Sequence, residues 1–149
     1  MAFRNILLPL DVNDLANADR ALQDARFLAE AAGATVHLLH VRLYLPLSYV
    51  DFLPSSFDQE EKESCMEQLR AWKASLGLPE DRVTITLRRG PVPAEVLDEA
   101  AQREADLIII GSRQPSMSTR LLGSNASSII RDAKISVLVT RRQDQRETA

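Results

Sequence analysis

Leu107 to Val139 reads LIIIGSRQPSMSTRLLGSNASSIIRDAKISVLV. An apolar run stops abruptly at Gly111, a polar segment follows, Gly123-Ser124 opens a helix-patterned stretch, and a β-branched run begins at Ser136. Strand, glycine, polar loop, glycine-serine and helix is the layout of an anion cradle. A glycine admits close approach of the backbone, and the first-turn amides of the next helix point at the anion. The pattern predicts a helix over Ser124–Ala133 and a last strand over Ser136–Thr140.

The rest of the chain repeats the alternation. Ile6 to Leu10 is continuously apolar, as in a strand buried on both faces of a parallel sheet. Val12-Asn13-Asp14 is a turn. A helix to about Ala32 follows, with Leu15, Ala18, Leu22, Ala25, Leu28 and Ala29 on one stripe. Asn13 or Asp14 can cap it, and Gly33 supplies a left-handed stop. Thr35–Val41 is a second strand. Arg42 to Phe57 is irregular but rich in apolar residues, and Pro46 and Pro54 exclude a continuous helix there. It reads either as a loop packed over the domain's edge or as a lid or partner surface.

Ser56 begins a helix to Leu76, with Gln59 placed for a capping box and Gly77 and Pro79 as the stop. Arg82–Arg88 alternates, with Val83, Ile85 and Leu87 on one side, as suits an edge strand. Pro93 fits the first turn of a helix ending near Glu104. Five strands alternating with four helices predict one doubly wound α/β domain over residues 1–141, followed by a polar, flexible tail over 142–149.

At 149 residues the chain can bury a real core. A net charge of -3 argues against broad nucleic-acid binding. The lone Cys65 fits a reducing compartment, and no apolar run suggests a membrane span. Met1–Asp11 lacks the regions of a signal peptide, so a cytoplasmic location is expected.

Ligands of open parallel sheets sit outside the carboxyl ends of the strands, where the winding reverses. A strand order of 3-2-1-4-5 places that reversal between the first and fourth strands. Asp11 and Gly111-Ser112 then share one crevice with Gly123-Ser124-Asn125. The last three offer amides and a hydroxyl to a phosphate. Asp11 can accept from a ribose hydroxyl or help hold a divalent cation. Arg113, Arg120 and Arg131 can supply counter-charge. Singly, these are a turn aspartate, a helix cap and solvated arginines; the combination is what points to a site.

Ile6-Leu7-Leu8-Pro9-Leu10-Asp11 and the terminal block GSR…LLGSNASSIIRDAKISVLVTR resemble the universal stress protein family over essentially the whole chain. The resemblance implies an adenine nucleotide alpha hydrolase-like fold, a five-stranded parallel sheet flanked by four helices. It implies a stress-response module binding ATP, with or without Mg2+. By position the binding residues are Pro9, Leu10, Asp11, Val41, Gly111, Ser112, Arg113, Gly123, Ser124 and Asn125, with no catalytic residues. It also implies a homodimer through Ser136–Thr140.

The chain departs from the family's Gly-x-x-Gly, nine residues, then Gly-Ser or Gly-Thr pattern. Gln114 replaces the second glycine, and only the eight residues Pro115 to Leu122 precede Gly123. Pro115 removes a donor, so the cradle is shaped differently; a nucleotide-free interaction module on the same fold is the alternative.

Enzyme signatures are absent. The sequence has no G-x-x-x-x-G-K-[ST] loop and no Gly-x-Ser-x-Gly elbow. His37 and His40 read as core or strand-end residues rather than metal ligands. Cys65, Met66 and Trp72 read as packing along one helix.

Overall fold

The computed structural model describes residues 3–43, 52–54, 56–112 and 122–141. In chain order these form β1 (Asn5–Pro9), α1 (Leu15–Ala32), β2 (Thr35–Arg42), α2 (Phe57–Leu76), β3 (Val83–Arg89), α3 (Val92–Gln102), β4 (Leu107–Gly111), α4 (Ser124–Asp132) and β5 (Ser136–Thr140). A short 3-10 turn over Glu80–Arg82 leads into β3. The five strands are parallel, in the order β3-β2-β1-β4-β5. The expected topology is therefore the observed one.

The continuous apolar strands are explained by two cores, one on each face of the sheet. Successive residues of a strand point to opposite faces. Ile6 and Leu8, Val36 and Leu38, and Leu107 and Ile109 pack against Ala18, Ala25 and Ala29 of α1 and Leu69, Trp72 and Leu76 of α2. Their neighbours Leu7, Leu39, Ile108 and Ile110 pack against Val96 and Ala100 of α3 and Ala126 and Ile129 of α4. Small alanines on α1 let that helix lie close to the strands. Met66 packs partly buried against the first core, and Cys65 is buried in α2.

Local signals set most boundaries. Asp14 caps α1 by accepting from the Asn17 amide, and Gly33 (φ 72°) ends it. Gly77 (φ 66°) does the same for α2. Leu15, expected on the buried stripe of α1, is instead exposed, because the helix turns Ala18, Ala21, Leu22, Ala25 and Ala29 inward.

The expected Ser56–Gln59 capping box does not form. Ser56 makes no cap bond, its hydroxyl donates to Glu60 at 3.2 Å, and the Gln59 amide donates to Glu63 at 3.2 Å. Helix α3 stops at Gln102, two residues before the expected end, and Glu104 takes a positive φ of 51°. Most of the Arg42–Phe57 connection and the 142–149 tail lie outside the described residues. Among the described residues, no helix is long and apolar enough to cross a membrane.

Candidate functional site

The winding order of the parallel strands reverses between β1 and β4, and a cavity of about 620 Å3 opens outside the carboxyl ends of the strands there. That volume suits a small-molecule ligand. Pro9 and Leu10 come from the end of β1, Val41 from β2, Gly111 from β4, and Gly123, Ser124 and Asn125 from the start of α4. Asp11 stands in the turn between β1 and α1. Eight of the ten sequence-predicted residues thus converge on one wall system.

Two do not. The Ser112 amide donates to the Thr140 carbonyl at 3.0 Å, extending the β4–β5 ladder, and Ser112 is not among the lining residues. Arg113 lies outside the described residues, as do Arg120 and the Gln114-Pro115 loop. Arg131 is corrected as a counter-charge. It is exposed and pairs with its neighbour Asp132 at 3.2 Å, and does not line the cavity.

The turn after β1 is tightly held. The Leu10 amide donates to the Leu39 carbonyl at 2.7 Å, and the Leu10 carbonyl accepts from His40 Nδ1 at 2.9 Å. That contact places the His40 proton on Nδ1. The Asp11 carboxylate accepts from the Asn13 amide at 2.8 Å. Asp14 receives Asn17 Nδ2 at 2.7 Å. Gly123 has no side chain to cap α4, and Gly123, Ser124, Asn125 and Ala126 at the start of that helix line the cavity.

Sequence reasoning missed His40, Arg42 and Glu61, all of which line the cavity. Arg42 is buried at the end of β2. Its Nη2 donates to Asp58 Oδ1 at 2.6 Å and its Nε to Glu61 Oε1 at 3.2 Å. Burial opposes the Arg42 charge, but the bonds to Asp58 and Glu61 outweigh it and raise the pKa. The same bond from Arg42 holds the Asp58 carboxyl below its ordinary value. A polar residue interrupting an apolar strand at its carboxyl end was the available signal for both His40 and Arg42.

His37, by contrast, lies away from the cavity. Its Nε2 donates to Asn5 Oδ1 at 3.0 Å and its Nδ1 accepts from Thr84 at 2.7 Å. Burial pushes the Cys65 thiol pKa up, which leaves it a poor nucleophile. No cluster of three or more metal-ligating side chains occurs among the described residues.

The universal stress protein family model matches residues 2–141. Universal stress protein G of Escherichia coli O157:H7 is 39% identical over 145 residues, covering 93% of this chain and 99% of that protein. The structure of the universal stress protein UspA from Lactobacillus plantarum superposes with a TM-score of 0.72 at 23% identity, over 95% of this chain and 99% of that one. A universal stress protein solved in complex with cAMP gives 0.68 at 19% identity, over 96% and 100%. Family model, sequence relatives and fold agree over nearly the full length: the chain belongs to the universal stress protein family.

Proposed function

We propose that this chain binds an adenine nucleotide, ATP with Mg2+, and acts as a regulatory stress-response module rather than as a catalyst. The observation that carries the reading is the convergence of Pro9, Leu10, Asp11, Val41, Gly111 and Gly123–Asn125 on one cavity at the sheet reversal. Apolar strand ends suit a base, the Asp11 carboxylate suits a ribose hydroxyl, and the start of α4 suits phosphate oxygens. The cAMP complex of a family member supports an adenine nucleotide as ligand.

Asp11, Asp14 and Glu61 make the described wall acidic, with Arg42 as its cation. A polyphosphate therefore sits best with a divalent ion neutralising part of its charge, and Asp11 is placed to share that ion. The sequence motifs of a motor ATPase or a serine hydrolase are missing, which supports binding over turnover.

The same reading includes a homodimer through β5. That strand is the sheet's edge, and Leu138 stands exposed on it. The test of the site is Gly123→Trp, which fills the approach to the start of α4. The variant should fold normally and lose measurable ATP binding. Unchanged ATP affinity would remove the phosphates from this position.

A further inference from the structure

Arg42 has a feature that its ion pairs do not explain. Its side chain is only 5% exposed. Nε is taken by Glu61 Oε1, and Nη2 by Asp58 through both Oδ1 and the backbone carbonyl at 3.4 Å. Nη1 donates to no described group. A guanidinium carries five N–H donors, and Nη1 is not among the buried atoms left without a partner, so its donors stay accessible to a ligand. Glu61 is in the complementary condition, with one carboxylate oxygen engaged and the other accepting from no described donor. Both residues line the cavity. Asp58, shared between Arg42 and Arg89 (3.1 Å), holds the guanidinium from the side of α2.

We propose that Arg42 and Glu61 form a specificity-determining pair that reads the edge of the ligand's base, with Arg42 Nη1 donating to a ring nitrogen and Glu61 accepting from an adjacent amino group. The inference rests on the nucleotide reading above and deepens it by naming what selects the base. A fixed donor beside a fixed acceptor complements an edge with an acceptor ring nitrogen next to an exocyclic amine, as adenine presents. The planar fork of Arg42 is pre-oriented by Asp58, so little freedom is lost when a base docks. Glu61 stands about one turn into α2, and its salt bridge to Arg42 keeps the two groups side by side.

The probes are ATP and purine riboside 5′-triphosphate, which share sugar and phosphates and differ in the amino group. Their affinities are measured by calorimetry on the whole chain, as wild type, Glu61→Met and Arg42→Met, with thermal unfolding as the folding control. Glu61 and Asp58 are partly exposed, so the Glu61 variant folds even if the Arg42 variant does not. The wild type should bind ATP about tenfold more tightly than the analogue. Glu61→Met should erase that preference by weakening ATP alone, and Arg42→Met should weaken both ligands about tenfold.

Equal weakening of both ligands in Glu61→Met would reduce the pair to a strut for α2 and overturn the proposal. So would a wild type that does not distinguish the two nucleotides. A wild type that binds neither defeats the nucleotide reading itself, and the base-reading pair with it.

Discussion

Leu7 and Ile108 form the last rung between β1 and β4 on the crevice side, although β1 runs on to Pro9 and β4 to Gly111. The cause lies in the next residue toward β4. Amides alternate sides along a strand, and the Leu10 amide goes to Leu39 in β2, so the position facing β4 is residue 9. That residue is a proline and has no amide to give. The two strands stop pairing where the cavity begins.

Pro9→Ala restores that donor. It should extend the β1–β4 ladder and narrow the crevice mouth. Stability should stay level or rise by about 1 kcal/mol, the net worth of one hydrogen bond, while ATP affinity falls several-fold. Urea denaturation and calorimetry on the same variant check both halves. A variant with unchanged affinity would show that the split does not depend on the proline.

The fold does not require a glycine at position 111, and the proposed ligand does. Its φ is not positive, and an added Cβ would meet only the Asn17 Cβ, at an ordinary 3.7 Å. Gly111→Ala should therefore keep or raise stability by about 0.5–1 kcal/mol, since glycine weakens a strand. ATP affinity should drop about tenfold as the methyl group enters the cavity. Lost stability with intact binding would reverse the assignment.

Glu99 is almost fully buried between Arg88 (2.9 Å) and Arg103 (3.0 Å). Glu99→Ala leaves Arg88 without its main anion and should cost about 3 kcal/mol, read from chemical denaturation.

The same network and its neighbour His37 set a pH dependence. Burial, then the Arg103 charge, hold His37 below its ordinary 6.5. The unfolded chain takes up that proton first, so stability is complete above pH 6.5 and declines below it. Burial pushes Glu99 up, but the bonds from Arg88, Arg103 and Thr86 prevail and hold it below 4.5. Its contribution is complete above pH 4.5 and is lost as pH falls through its folded value. Urea midpoints from pH 7.5 to 3.5 should fall in two stages. His37→Gln should flatten the first stage and Glu99→Gln the second. A midpoint that rises on acidification would contradict both.

Strand β5 predicts the assembly. Its edge position and exposed Leu138 should pair two copies, and light scattering at micromolar concentration should give twice the 16.6 kDa chain mass. Leu138→Lys should shift the species to monomer. A monomeric wild type would refute the proposed dimer.

The fold was legible because the apolar runs of β1 and β4 are continuous and that of β2 nearly so, as in strands covered on both faces, while β3 alternates as an edge strand does. Asp11, Gly111 and the Gly123–Asn125 helix start followed from the alternation of strands and helices, whereas Pro9, Leu10 and Val41 came from the resemblance to the family. His40 and Arg42 were legible only as polar residues at the carboxyl end of an apolar strand. The place of Glu61 depends on how α2 returns against β2, which no local pattern encodes. Arg131 and Ser112 misled for local reasons. One is neutralised by the next residue in sequence, and the other gives its amide to β5.

Calorimetric titration of nucleotide-stripped protein with ATP, with and without Mg2+, decides whether the cavity between β1 and β4 takes the proposed adenine nucleotide. The proposed site should give saturable one-site binding in the micromolar range, tightened by Mg2+. No heat of binding up to millimolar ATP would contradict it, and would leave the fold as a surface for protein partners.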